Sequence, residues 1–456
     1  MVQHNIIREK FNKFWEETPR NHKHVTPSML FLKNDPSTLF TSSGMQQLVL
    51  YLKGKPHELG NRLYNIQPCF RSQDIDLVGD NKHTTFFEMM GNWSLGNYFK
   101  EEQLEWCLKY FTEILELPKE KLYVSVFEGT DGIKKDLESY EIWKKLGFTD
   151  EKIFYYGTSH NWWSRYGDPQ HMPEDEIGGP DSEVFYDFGE DLKLHEKSMF
   201  KNEKCHPNCD CGRFSEIGNS VFIEYIKKNN ELVELPQKNV DYGGGLERIS
   251  AAVNNKPDIF QTDFYQSILS EIENETHKKY ENPNKQQMEI IADHIKASVF
   301  LINDGVIPSN KEQGYILRRL LRRSAVKMHE LTFTFDHSYD RIVDNGILKI
   351  YDQSQNIKRS EQKEKILSVI NGEIDKFEKT LEKGLNEIEK IKMIDGKIAF
   401  DLFQSFDFQF EITKEVLNKK NIKCDENKLN KEFQMELNKH KEVSRKSAEK
   451  RFKNSI

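Results

Sequence analysis

The chain has 456 residues, enough for two or more domains with real cores. Its 37% hydrophobic and 12% aromatic content, with 30 Phe and 17 Tyr, excludes a mostly disordered chain. A net charge of −8 excludes a globally basic binder of DNA or RNA, so a polyanion must meet a local basic surface.

No leading segment pairs a basic stretch with an apolar core, and no run approaches membrane-spanning length. Cys69, Cys107 and Cys424 are scattered, whereas Cys205, Cys209 and Cys211 are clustered. That usage fits a reducing compartment without disulfides. The expectation is a cytoplasmic protein with neither a membrane nor DNA as partner.

From 1 to 255 the chain alternates short strand-like runs, "TLFTSS" (38–43), "LYVSVFEG" (122–129) and "EVFYDFG" (183–189), with helical segments and loops. There is no regular βαβ repeat, which predicts an α+β domain with an antiparallel or mixed sheet and helices packed on it. Within it, 68–99 is rich in chemistry. Arg71 can grip a phosphate through two N–H donors, and the Phe86–Phe87 pair can support a purine. The same residues also suit a surface arginine over a core aromatic pair. In "CHPNCDC" (205–211), three thiolates spaced C-x₃-C-x-C with His206, or His195 nearby, can make a tetrahedral structural zinc site.

"VDYGGGLERIS" (240–250) follows the strand-like residues Leu232, Val233, Leu235 and Val240 and leads into "LERISAAV", which reads as helix. Three glycines between them predict a turn where a flat or anionic group can approach the backbone. Arg248 can cover a purine from the side opposite Phe87 by cation–π stacking.

From 256 to 456 the pattern is helical. Met288, Ile291, Ile295, Val299 and Ile302 share one face, as do Ile366, Ile370, Ile374, Phe377, Leu381, Leu385 and Ile388 within a charged segment. Between them, Arg318 with Arg322 and Arg319 with Arg323 are i,i+4 neighbours, predicting a positive stripe on an acidic protein. The last stretch, 438–456, is polar and is expected to fray.

An arginine on one strand, an aromatic on the next and an arginine on a glycine-led helix, in this order, resemble the signature set of class II aminoacyl-tRNA synthetases. More closely, "NDPSTLFTSSGMQQ", "HTTFFEMMGNWSLGNYF", "DYGGGLERI", "ADHIKASVFLINDGVIPSNKEQGYILRRLLRRSA" and "NIKCDENKLNKEF" are similar to the alanyl-tRNA synthetases, from about Phe11 to the C-terminus. The resemblance implies a class II antiparallel catalytic domain (1–255) followed by a helical domain that reads the tRNA acceptor stem (256–456). It implies activation of alanine by Mg²⁺-ATP through in-line attack of the carboxylate on the α-phosphate, then transfer to the tRNA(Ala) 3′ end.

Position by position, the resemblance implies that Arg71 holds the α-phosphate and the alanine carboxylate. Phe87 stacks the adenine, with His83 beside it, and Arg248 caps it. Gly243 and Gly245 let ATP approach. Trp163 and Asn219 lie at both substrates, and Asp241 pairs with the alanine ammonium. Catalysis falls to Arg71, Arg248 and Asp241, by positioning and charge stabilisation. Asn310, Gln404 and the stripe Arg318, Arg319, Arg322 and Arg323 become acceptor-stem contacts.

The chain departs from that pattern in several places. The family loop "RAGGKHND" is shortened to "RSQD", and Lys82 is the cation available in its place. Gly218 replaces a tryptophan before Asn219, and "GPCSE" is "GPDSE" (179–183). Gln404 replaces an aspartate that helps Asn310 read the G·U pair of the acceptor stem; because an amide can donate as well as accept, relaxed reading of that pair is expected. No editing or C-terminal domain follows 456, which implies mischarging with serine or glycine unless a separate editing protein clears the product. The rival expectations are an adenylate-forming paralogue for another amino acid or acceptor, and a non-catalytic tRNA-binding paralogue. The second should lack Arg71, Asp241 or Arg248, and all three are present.

Overall fold

In the computed structural model the described residues are 2–31, 38–130, 132–334, 338–352, 359–391, 393–406, 408, 410–419, 422 and 424–453. Nine strands are seen among them: β1 (Lys23–His24), β2 (Arg62–Phe70), β3 (Phe86–Leu95), β4 (Leu122–Phe127), β5 (Ile153–Tyr156), β6 (Trp162–Ser164), β7 (Ile177–Asp187), β8 (Phe214–Lys228) and β9 (Glu231–Gly245). They form one sheet in the order β1-β2-β3-β9-β8-β7-β4-β5, with β6 paired to β7. The run from β2 to β4 is antiparallel, and parallel pairs occur only at its two edges. The antiparallel or mixed sheet expected from the missing βαβ repeat is therefore present. Every residue of β7 is buried, as befits a central strand covered on both faces.

Two local expectations are corrected. "TLFTSS" is not a strand: Thr38–Ser43 is irregular, joined to the end of β2 by the Phe70 N–H donating to Thr41 O (2.8 Å) and braced by Gln46 Oε1, which accepts from the Ser42 N–H (3.0 Å). One such bond is not a ladder. The triple glycine is not a turn either. β9 runs straight through Gly243, Gly244 and Gly245, paired with Gly91, Met90 and Met89 of β3, and Gly245 has φ −69°. The Leu246–Val253 helix starts at the next residue, as its sequence predicts.

The glycines answer to close packing. A Cβ on Gly91 would lie 2.6 Å from the Trp93 ring, and one on Gly244 would lie 2.7 Å from Tyr242 Oη and 2.9 Å from Ile217 O. Gly245 differs: the nearest protein atoms would be Arg248 side-chain carbons at 3.9 Å. That position is open for a ligand.

The Lys285–Asn303 helix is buried at every position from Met288 to Ile302, so the predicted apolar face is only part of its buried surface. It packs against the sheet. Phe300 stacks on Phe86 with ring centres 3.9 Å apart, and the Thr85 N–H and hydroxyl donate to Asp293 at 2.8 and 2.7 Å. Lys296, fully buried, pairs with Glu247 at 3.1 Å. One apolar core therefore continues across residue 255.

In the Arg359–Lys390 helix, Ile366, Ile370, Ile374, Phe377, Leu381 and Ile388 are buried as expected and Leu385 is half-buried. The polar C-terminal stretch, expected to fray, continues the Glu426–Lys453 helix, with 454–456 outside the described residues. Among the described residues, no helix is long and apolar enough to cross a membrane.

Candidate active site

The antiparallel register decides which side chains meet. Alternate residues face one side of a sheet, so Phe87, Met89, Gly91 and Trp93 of β3 share a face with Asp241, Gly243 and Gly245 of β9. Across the next two strands, Asp241 lies opposite Val221, which lies opposite Asp181; Gly243 lies opposite Asn219, which lies opposite Glu183. Residues 87 to 245 in sequence thus become one floor.

At one end of that floor, Arg71, Lys82, His83, Phe87, Gly243, Gly245 and Arg248 line a single cavity together with Asp74 and Glu216. The Arg71 guanidinium lies 4.8 Å from the Phe87 ring centre, a cation–π contact. Arg248 is oriented from the opposite wall by Glu216, whose Oε2 accepts from Nη1 at 2.9 Å. His83 Nδ1 is 2.5 Å from Asp80 Oδ2, which aims the imidazole. Lys82 reaches the cavity but also pairs with Asp210 at 2.5 Å.

Arg71 also lines a second, neighbouring cavity of about 270 Å³, with Trp163, Ser42, Gln46 and Arg165. It therefore joins the anion-and-ring cavity to a neighbouring one walled by tryptophan. Asn219 and Asp241 line neither cavity and lie on the floor beside them. Asp241 Oδ1 accepts from Trp93 Nε1 at 2.7 Å, yet burial outweighs that bond and pushes the carboxyl up to about 7. Asn219 approaches Asp181, while its Oδ1 is buried without a partner.

Asp181, in the "GPDSE" segment, is pushed up to about 8 by burial and by Glu216, against the bond from Asn161 Nδ2 at 3.0 Å. Glu183 is also raised well above the ordinary carboxylate range, by burial first and then by Glu216 and Asp181. These carboxyls, with Glu216, are the site residues that sequence reasoning missed. Their signal was available: Glu216 begins the "EIGN" run and Asp181 stands in the altered "GPDSE". Gly218 does not reshape this floor. Its missing side chain points to the other face, where a Cβ would meet Tyr242 Oη at 2.8 Å and the Phe111 ring at 3.2 Å.

The metal group needs a correction. His206 Nδ1 is engaged by Tyr156 Oη at 2.9 Å, and the ligand atoms that converge are those of His195, Cys205, Cys209 and Cys211. Sequence proximity favoured His206; the turn at 205–209 points it away from the sulfurs.

The positive stripe is also corrected. Arg319, Arg322 and Arg323 are buried, and each pairs with a carboxylate: Arg319 with Asp76 (2.6 Å), Arg322 with Glu373 (2.8 Å) and Arg323 with Glu415 (2.9 Å). The physical reason is that the Glu312–Thr332 helix lies inside the molecule, where a charge requires a partner. Arg318 retains partial exposure beside exposed Asn310, to whose Oδ1 it donates, and Gln404 is exposed on the Gly396–Phe406 helix.

An antiparallel β2–β3–β9 floor whose cavity is lined by two arginines, an aromatic and an open glycine is the scaffold of a class II aminoacyl-tRNA synthetase. The chain belongs to the family described as tRNA synthetases class II (A), whose model matches residues 6–456. It is 38% identical to the alanine–tRNA ligase of Borreliella afzelii over 99% of this chain and 74% of that one. It is 35% identical to that of Treponema denticola over the same shares, and 38% identical to that of Petrotoga mobilis over 97% of this chain and 49% of that one. Apo histidyl-tRNA synthetase of S. aureus, a solved structure, is 14% identical with a TM-score of 0.32 over 55% of this chain and 65% of its own, too remote to add weight.

Proposed function

We infer that the chain is an alanine–tRNA ligase: it activates alanine with ATP, releases pyrophosphate and transfers the alanine to the 3′ end of tRNA(Ala). The observation that carries this is the likeness to alanine–tRNA ligases along 99% of the chain. The gathering of Arg71, Phe87, Gly245 and Arg248 around one cavity supports it.

In this reading adenine lies on Phe87 and under Arg248, over the open Gly245. Its arrival displaces Arg71 from the ring, and the freed guanidinium takes the α-phosphate and the alanine carboxylate. The methyl group enters the neighbouring cavity walled by Trp163. Asp241, once ionised, and the orphan Oδ1 of Asn219 accept from the ammonium. Attack of the alanine carboxylate on the α-phosphate then needs alignment and charge neutralisation more than a proton-transfer group. The Glu216 carboxylate is the kind of oxygen donor that would hold Mg²⁺, which would supply charge neutralisation at the pyrophosphate leaving group. Lys82 supplies the cation that the shortened loop lacks. A structural zinc ion in the cysteine–histidine group stands outside the reaction path.

At the tRNA side, Asn310 with Arg318, and Gln404, are the exposed candidates for the acceptor stem. With an amide at 404 in place of a carboxylate, discrimination between G·U and G·C is relaxed; collapse of alanylation when that pair is made G·C would overturn this. The main test is alanine-dependent exchange of pyrophosphate into ATP together with charging of a tRNA(Ala) transcript. Both are expected in the wild type, and both are expected to be abolished in Arg71→Ala. Exchange without charging would redirect the enzyme to another acceptor.

A further inference from the structure

Residues 193–213 contain neither a strand nor a helix among the described residues; the segment is a chain of turns, and its order must come from elsewhere. Four side chains within and beside it converge. Their ligand atoms, His195 Nδ1 and the sulfurs of Cys205, Cys209 and Cys211, all lie within 4.8 Å of one another. The thiols are free. A disulfide would need sulfurs about 2.05 Å apart, and Cys205 Sγ is 3.8 Å from Cys211 Sγ.

That separation has a geometric meaning. With Zn–S near 2.3 Å and Zn–N near 2.05 Å, a regular tetrahedron has S···S edges of about 3.8 Å and S···N edges of about 3.6 Å. The Cys205–Cys211 distance is 3.8 Å, and Cys209 Sγ lies 3.6 Å from His195 Nδ1. The imidazole is also set for the task. His195 Nε2 is 3.0 Å from Glu203 O, a carbonyl that can only accept, so Nε2 carries the hydrogen and the Nδ1 lone pair faces the sulfurs.

We propose that His195, Cys205, Cys209 and Cys211 form a closed tetrahedral zinc site, and that the ion holds in place a wall of the cavity that adjoins the nucleotide cavity. Residues Pro207 to Cys211 line a cavity of about 420 Å³ whose other walls include His83, Glu216 and Arg248. From the same loop, Asp210 pairs with Lys82 at 2.5 Å and Asn208 Nδ2 donates to Glu183 Oε2 at 3.4 Å. Four protein ligands leave no open position, so the ion is structural. It does for this loop what an apolar core does elsewhere. The second half of the proposal rests on the nucleotide reading; the first half does not.

The test begins with elemental analysis of the full chain purified without chelator, followed by replacement with Co²⁺ and absorption spectroscopy. One zinc per chain and an intense four-coordinate thiolate spectrum with cobalt are expected. His195→Gln and Cys209→Ser should lose the metal, whereas His206→Gln should keep it. Removing zinc should raise the KM for ATP in pyrophosphate exchange severalfold. Absence of metal and of the cobalt spectrum in the wild type would overturn the site. So would loss of metal in His206→Gln with retention in His195→Gln. Because the cobalt spectrum is read on the wild type, a variant that fails to fold does not remove the test. An unchanged KM for ATP on zinc removal would overturn the wall role. Stoichiometric zinc in a chain with no exchange activity would sink the functional reading and leave the site standing.

Discussion

Gly244 and Gly245 are chemically identical neighbours with opposite duties. At 244 an added methyl strikes Tyr242 Oη and the Ile217 carbonyl, so Gly244→Ala should lose about 1–3 kcal/mol of stability in urea denaturation. At 245 the methyl meets only ordinary contacts and projects into the cavity. Gly245→Ala should therefore unfold within about 0.5 kcal/mol of wild type while its KM for ATP rises. Equal loss of stability in both variants would contradict this division. Asp241 offers a pH signature. Its carboxyl, held neutral up to about 7 by burial, must ionise to receive an ammonium. Below that value kcat/KM for alanine should rise about tenfold per pH unit, and above it should level off. Trp93→Phe removes the one donated bond that favours the carboxylate, so the acid limb should move to higher pH. A fall in rate with no shift of the limb would make Trp93 merely structural.

At the scale of elements, the Glu312–Thr332 helix is held by ion pairs rather than displayed by them. Glu373, itself buried, bridges Arg318 (2.9 Å) and Arg322 (2.8 Å) from the Arg359–Lys390 helix. Glu373→Gln removes the carboxylate that Arg318 and buried Arg322 share and should destabilise the fold more than Asp76→Asn, whose carboxylate is exposed. Glu415 behaves in the other direction from Asp241. Burial opposes its ionisation, but Arg323 and Lys327 win and pull it down to about 2. A depressed carboxyl stabilises the fold above its unfolded pKa near 4.5, and that contribution is lost as pH falls from there towards 2. Acid titration followed by circular dichroism should accordingly show Glu415→Gln with a flatter stability profile between pH 4.5 and 2 than the wild type. Such arginines cannot also be a solvated tRNA-binding face. The proposed tRNA contact then rests on residues such as Arg318 and Asn310, and under that reading Arg318→Ala should reduce the salt dependence of tRNA binding where Asp76→Asn does not.

At the scale of the molecule, the sheet and the helical region share their interior. Phe86 stacks on Phe300, Thr85 binds Asp293, and Glu247 meets Lys296, all across residue 255. The Arg8–Glu88 pair ties the His4–Glu16 helix to the face of β3 opposite that floor. Urea unfolding followed by tryptophan fluorescence, which reports on the sheet half where all six tryptophans lie, should therefore coincide with unfolding followed by far-ultraviolet circular dichroism. Two separated transitions would show that residues 1–255 fold as an independent unit.

Much of this was legible from residues alone. Helical periodicity located the Lys285–Asn303 and Arg359–Lys390 helices, because a 3.6-residue repeat is local information. The missing βαβ repeat implied the antiparallel or mixed sheet, and the motifs around Arg71, Phe87 and Arg248 picked out residues that line one cavity, side-chain types suited to a phosphate and a purine. What tertiary structure decided was each side chain's partner. Whether three glycines turn or run on depended on β3 lying beside β9. Whether His195 or His206 faces the sulfurs depended on the course of a loop without regular structure. Whether four arginines face tRNA or carboxylates depended on which side of their helix was already covered. Chain spacing reports the first few neighbours; burial, and the requirement that every buried charge find a partner, is set by segments hundreds of residues apart.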